Sequence, residues 1–65
     1  MSSSNVEDVG YEIKKKCLII TYGSGAVWAY SPVELSEFYR LYKSKQLSLD
    51  VHEFIRHSNI VGVKK

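Results

Sequence analysis

The sequence predicts an α+β fold: a three-stranded antiparallel β-meander followed by two helices that pack on one face of the sheet. Three observations predict it. Apolar and polar residues alternate from Val9 to Lys14, a β-branched and aromatic run from Cys17 to Tyr22 ends at a glycine-rich turn, and an amphipathic stretch follows Ser31. With 65 residues the chain is long enough for one small domain only.

The domain is predicted to occupy residues 6–58. Residues 1–5 are expected to form a disordered lead, and residues 59–65 a basic C-terminal tail or a short strand. The strands are expected at 9–14, 17–22 and 26–30. Loops as short as those between them favour antiparallel neighbours, so we expect a meander.

The first helix is signalled by its start. Ser31 is a good capping residue, Pro32 would occupy the first helical position, and Glu34 stands three residues after Ser31, as in a capping box. The helix is expected to end near Ser44. Its predicted buried stripe has helical spacing, with Leu41 at the border: Leu35, Phe38, Tyr39 and Tyr42.

A second, shorter helix is predicted after a break at 44–46. Ser48 or Asp50 is expected to cap it, and its apolar side would carry Val51, Phe54 and Ile55.

The two faces of the predicted sheet differ in side-chain size. The bulky face, on which the helices should pack, comprises Val9, Tyr11, Ile13, Leu18, Ile20, Tyr22, Trp28 and Tyr30. The other face is small or β-branched and too apolar for a solvated surface: Gly10, Cys17, Ile19, Thr21, Val27 and Ala29. A chain this short without a disulfide needs additional burial, so we expect a homo-oligomer with Cys17, Ile19, Thr21, Val27 and Ala29 in the interface.

Composition excludes several classes of protein. The net charge of +2 is too small to indicate a nucleic-acid binder by itself, and a single cysteine excludes an internal disulfide. No apolar run is long enough to span a membrane, and the polar start lacks the features of a signal peptide. These observations predict a cytoplasmic protein without a membrane partner.

Several residues together resemble a known family. The run Val9-Gly-Tyr-Glu12, the spacing of Leu18, Ile20 and Tyr22, then Gly25, Trp28-x-Tyr30, Val33, and Phe38 with Leu41 resemble the KTSC domain family over roughly residues 4–56. Trp28 replaces the first tyrosine of that family's tyrosine-x-tyrosine pair, and Pro32 precedes Val33 where valine then proline is usual. The resemblance implies a small domain of bacterial and phage proteins, also found at the C-terminus of some lysyl-tRNA synthetases. It implies no established enzymatic activity and suggests RNA binding.

A ligand site is predicted at one end of the sheet. The topology brings the block Lys14, Lys15 and Lys16 to the start of the first helix, where Ser31 and free N–H groups favour an anion. Trp28 or Tyr30 would stack on a base if not buried in the core, and Arg56 would close over the ligand.

Catalysis and metal binding are not expected. Gly23-Ser24-Gly25 lacks the glycine or Lys-Ser/Thr that a phosphate-binding loop requires, so a hairpin turn is expected there. His52 and His57 lie five residues apart and do not converge on a metal, and Cys17 in an apolar strand suits a structural thiol.

Two functional hypotheses remain. The first is a non-catalytic module for a phosphate-bearing ligand, RNA or a small nucleotide, with no cofactor; in one form it is an oligomeric phage sponge that sequesters a nucleotide signal. The alternative is a protein-interaction or assembly module that uses the sheet face or the C-terminal strand.

Overall fold

The computed structural model describes residues 5–65 and contains four strands and two helices. Their order is β1 (Val6–Glu12), β2 (Cys17–Tyr22), β3 (Val27–Ser31), α1 (Leu35–Tyr42), α2 (Leu47–His57) and β4 (Val61–Lys64). Residues 1–4 of the predicted lead lie outside the described residues. Asn5 is held in place, because its carbonyl accepts a 2.7 Å hydrogen bond from the Gly23 N–H.

The sheet is antiparallel with the order β1-β2-β3-β4, so the predicted α+β class is confirmed. The predicted number of strands is wrong, because a fourth strand completes the sheet. Val61 pairs with Ser31 and Val63 pairs with Ala29, which gives the open edge of β3 a partner from the C-terminal segment. Of the two alternatives for residues 59–65, the structure has the strand.

A β-bulge in β1 changes which residues face the core. Val6 pairs with Tyr22 and Asp8 with Thr21, so Glu7 is an extra residue on the bulged strand. Val6 and Val9, three positions apart, are therefore both buried, with exposed fractions of 7% each. A strict period of two would place them on opposite faces.

The core lies between the sheet and the helices. Leu18 and Ile20 from β2 and Val51 from α2 are fully buried, and Val33 and Leu41 are nearly so. The predicted bulky face is therefore the face under the helices, called the helix face here, with the exception of Ile13. Ile13 lies in the β1–β2 turn and is 71% exposed, because the strand ends at Glu12.

The predicted cap of the first helix is wrong. Ser31 is the last residue of β3 and pairs with Val61, which commits it to the sheet, and the Ser31–Pro32 peptide is cis. Helix α1 begins at Leu35, after an extended Glu34 whose side chain makes no capping hydrogen bond. The intervening Val33 is buried, and its N–H donates to the Lys16 carbonyl at 2.8 Å.

The predicted buried stripe of α1 is displaced. Leu41, assigned to the border, is the buried residue of the helix, while Tyr39 and Tyr42 are 52% and 61% exposed and Leu35 is 41% exposed. Phe38 is half-buried against Tyr11, with ring centroids 5.4 Å apart. Helix α1 contacts both β1 and α2. Its buried side therefore faces the space between them, and Leu41 lies on that side.

Helix α2 starts one residue before its predicted cap. Gln46 stands at the N-cap without a side-chain hydrogen bond, and neither Ser48 nor Asp50 caps the helix. The Ser48 hydroxyl instead accepts from the Val6 N–H at 2.8 Å and donates to the Asn5 side chain at 2.9 Å. These bonds tie the start of α2 to the start of β1.

The β2–β3 connection is the tight turn that the sequence predicts. The Gly25 N–H donates to the Tyr22 carbonyl and the Tyr22 N–H to the Ala26 carbonyl, both at 2.9 Å. Gly25 has a φ of 95°, a conformation that residues with a side chain rarely adopt.

The candidate phosphate site and the open sheet face

The lysine turn, residues 14–16, joins β1 to β2 at one end of the sheet. All three lysines are exposed. Lys16 adopts a positive φ of 52°, and its carbonyl holds the Val33 N–H at 2.8 Å. The lysine turn therefore lies next to the segment before α1, as the sequence predicts.

The start of α1 is less favourable to an anion than the sequence suggested. Lys16 Nζ lies 3.4 Å from a Glu34 carboxylate oxygen, and Glu37 stands in the first turn of the helix. Two carboxylates at this helix start repel a phosphate, so the free N–H groups there do not form a site by themselves. Within residues 5–65, Lys14 and Lys15 form no ion pair.

Lys15 and Ser31 border one shallow depression of about 360 Å³ on the sheet. Its lining is mixed: Cys17, Ile19 and Ala29 lie beside the carboxylate residue Glu12, and Lys65 reaches it from beyond β4. Cys17 is half-buried, and its thiol donates to the Lys15 carbonyl at 3.6 Å.

Trp28 and Tyr30 lie on the helix face of β3. Trp28 pairs with Ile20, toward the glycine turn, whereas Tyr30 pairs with Leu18, two residues after Lys16 and so at the lysine-turn end. Both are half-buried, with ring centroids 6.2 Å apart. These two rings and the Ser31 side chain therefore lie on opposite faces of the sheet.

Tyr22 and Tyr30 form a polar cluster on the helix face. Their hydroxyls share a hydrogen bond of 3.3 Å, and the Tyr22 ring stacks on His52 with centroids 6.4 Å apart. Burial, together with the hydrogen bond to Tyr30, raises the pKa of the Tyr22 hydroxyl far above its usual value. Tyr22 stays protonated at any physiological pH.

Arg56 is exposed near the end of α2. No hydrogen bond or ion pair among residues 5–65 joins it to the lysine turn.

The sheet face opposite the helices is the open face, and no element of residues 5–65 packs on it. Its strand residues follow from the register: Asp8, Gly10, Glu12, Cys17, Ile19, Thr21, Val27, Ala29, Ser31, Val61 and Val63. Lys65, whose N–H donates to the Val27 carbonyl, continues this face beyond β4. The five residues predicted for an oligomer interface all lie here, half-buried.

Part of this face lies in β4, a strand that the three-strand prediction lacks. Val61 and Val63, 68% and 60% exposed, extend its apolar surface, and their alternation with Gly62 was the available signal. Asp8 also belongs to it, at a period of two from Gly10 and Glu12, but it precedes the strand start predicted at Val9.

Residues 5–65 contain neither a candidate metal cluster nor a candidate membrane-spanning helix. No three or more His, Cys, Asp or Glu side chains are grouped to hold a metal ion. No helix in that range has both the length and the apolar character needed to cross a bilayer.

A family model of the KTSC domain matches residues 2–58, most of the 65-residue chain. The chain belongs to the KTSC domain family. Within this KTSC domain, the matched range runs from β1 through α2, and β4 lies beyond it. No curated protein matches the chain.

The residues that carried the family resemblance have structural positions in the KTSC domain. Val9, Leu18 and Ile20 are core residues, and the Tyr11 hydroxyl donates to the Val33 carbonyl at 2.6 Å. Gly25 forms the turn before β3. The shared pattern is thus mainly one of packing and turns, which determine the fold more than the ligand.

Proposed function

We propose that this KTSC domain is a non-catalytic cytoplasmic module that binds the phosphate group of RNA or of a small nucleotide through the lysine turn. One observation carries the proposal. Three consecutive exposed lysines stand at one end of the sheet, on a turn that a backbone hydrogen bond from Val33 to Lys16 holds against the rest of the fold. A fixed group of ammonium donors is suited to a phosphate.

The charges around the turn support Lys14 and Lys15 as the main contacts. Lys16 is engaged by Glu34 at 3.4 Å, although a pair with exposed fractions of 55% and 68% is weak and exchanges readily. Ser31 borders the same depression as Lys15 and offers a hydroxyl donor. The proposed site leaves out three residues that the sequence suggested as further contacts. The Trp28 and Tyr30 rings lie on the helix face, and no hydrogen bond or ion pair among residues 5–65 joins Arg56 to the lysine turn.

The sequestration hypothesis adds self-association to ligand binding. The open face supports this addition, since Val61 and Val63 extend an apolar surface that already includes Ile19 and Ala29. An oligomer of this kind would hold a phage or bacterial nucleotide signal without transforming it.

Calorimetry with a panel of nucleotides and a short RNA tests the proposal. Changing Lys14, Lys15 and Lys16 together to glutamine should weaken binding at least about tenfold and leave the thermal melt unchanged, because exposed lysines contribute little to stability. The matched control changes Lys43, Lys45 and Lys64 to glutamine and removes the same charge elsewhere. Binding should also weaken steeply with salt. Equal affinities of the two triple variants, or no binding across the panel, would contradict the proposal.

The alternative, a protein-interaction module, has its own supporting observation. Strand β4 is an edge strand in the sheet order, and its Val61 and Val63 side chains are exposed. An edge strand offers backbone hydrogen bonds to an added strand. Protein binding that is insensitive to salt, together with no phosphate binding, would favour this alternative.

A further inference from the structure

We infer that a second copy of this chain docks on the open face about a two-fold axis parallel to the strands, between β2 and β3. The inference rests on the order of residues across the sheet and does not depend on the proposed ligand. In an interface between identical copies each patch must complement itself. Two of its three cross-strand rows do so under this operation, and in the third row, at the lysine-turn end, Glu12 of one copy faces Val61 of the other.

The middle row of the open face is complementary in size. Cross-strand pairing places Gly10, Ile19, Ala29 and Val63 side by side from β1 to β4. Rotation about the two-fold axis places this row on the same row of the second copy in the reverse order. Val63 of one copy therefore faces Gly10 of the other, and Ile19 faces Ala29. A large side chain thus meets a small one at each position, which fills the space of about 10 Å between stacked sheets.

The end row toward the glycine turn is complementary in charge. Its members are Asp8, Thr21, Val27 and Lys65, with both charged residues exposed at opposite edges of the sheet. Reversing the row brings Asp8 of one copy to Lys65 of the other, and symmetry forms this ion pair twice. Thr21 and Val27, which have nearly the same shape, meet in the middle.

A dimer about the other possible two-fold axis, in the same plane but perpendicular to the strands, is unfavourable. This axis would stack β1 of one copy on β1 of the other and bring Asp8 of one copy to Glu12 of the other. It would also set Gly10 against Gly10 and leave a gap there. Like charges placed together and an unfilled space both weaken an interface, so the axis parallel to the strands is selected.

The arrangement has a consequence for the lysine turns. A two-fold parallel to the strands keeps corresponding strand ends at the same end of the dimer. Both lysine turns, six lysines in all, therefore lie at one end of the sandwich. The depression that Lys15 and Ser31 border lies between the two copies, because Cys17, Ile19 and Ala29 of the open face line it.

Sedimentation equilibrium of charge-swap variants tests the inference. The natural protein should sediment at twice 7.4 kDa in the micromolar range. Asp8→Lys alone and Lys65→Asp alone should each weaken the dimer about tenfold or more, and the double variant should restore it, since attraction becomes repulsion at two symmetric pairs. Lys64→Asp is the matched control, because it removes the same charge from the helix face of β4.

Circular dichroism of each variant checks that the monomer fold is retained. A monomer at all concentrations of the natural protein would overturn the inference. It would equally be overturned by a dimer that the single variants leave intact, by a double variant that is not restored, or by a Lys64→Asp effect as large as that of Lys65→Asp.

Discussion

Gly62 in β4 allows the ring of Tyr30 to lie directly on the strand. A Cβ at Gly62 would stand 2.8 Å from Tyr30 Cδ1 and overlap the ring edge. Its φ lies outside the left-handed region, so space and not backbone conformation requires the glycine. One missing side chain thus lets β4 pair with β3 while Tyr30 stays half-buried against the core.

Replacing Gly62 with alanine should lower the free energy of unfolding by about 1–3 kcal/mol, because the ring or the strand must move. Chemical denaturation measures the effect. In a Tyr30→Ala background the same replacement should cost less than about 0.5 kcal/mol, as the overlapping ring is gone. An equal cost in both backgrounds would show that the ring is not the cause.

The raised pKa of Tyr22 predicts that the folded protein loses stability at alkaline pH. Its folded pKa is raised by burial and by Tyr30, so above the ordinary tyrosine value the unfolded chain releases this proton while the folded chain keeps it. Stability from this group is complete below about pH 10 and declines above it. Tyr22→Phe should reduce the alkaline decline of the melting temperature, whereas Tyr39→Phe, at a 52% exposed position, should leave it unchanged. Identical pH profiles for the two variants would refute the assignment.

At the scale of elements, helix α1 shows how packing determines which side of an amphipathic helix is buried. Periodicity allows a stripe through Tyr39 and Tyr42, but these side chains surround Phe38 at the surface, with centroids 5.8 and 5.6 Å from its ring. Leu41 points instead between the sheet and α2. Tyrosines tolerate the exposed position because their hydroxyls remain hydrated.

Leu41→Ala should therefore destabilise the protein by about 2–5 kcal/mol through a core cavity. Tyr42→Ala, next to it but 61% exposed, should cost less than about 1 kcal/mol. Urea denaturation of both variants gives the comparison. A larger destabilisation by Tyr42→Ala than by Leu41→Ala would contradict this assignment and favour the buried stripe that periodicity predicts.

At the scale of the whole molecule, β4 joins the end of the chain to the sheet formed by its first half. The radius of gyration, 10.7 Å, equals the value of about 11 Å expected for a compact domain of this length. The C-terminal segment is therefore part of the fold. Its pairing gives β3 neighbours on both sides.

Removal of residues 61–65 should lower the free energy of unfolding by about 2–4 kcal/mol, from the loss of several backbone hydrogen bonds. For a domain of this size that is a large fraction of the total stability. Val63→Thr keeps the strand while removing apolar character, and should cost less than about 1 kcal/mol. Thermal melts that are the same for the truncated and the complete chain would contradict a structural role for β4.

Local sequence signals determined much of this protein. Alternation and β-branched runs located β1 to β3, the Gly23–Gly25 turn and the division of the sheet into a bulky face and an apolar open face. They also placed the lysine turn beside the segment before α1. These features depend on neighbours in the chain, so a single sequence contains them.

Only the tertiary structure decided the remainder. The residues around Ser31 have the pattern of a helix cap. Ser31 is nevertheless a strand residue, because Val61, thirty positions away, pairs with it. The register between β2 and β3 set Trp28 opposite Ile20, toward the glycine turn, and the bulge at Glu7 put Val6 on the buried face with Val9. Each outcome depends on contacts between distant residues, whose energies outweigh local preference and leave no local pattern to detect.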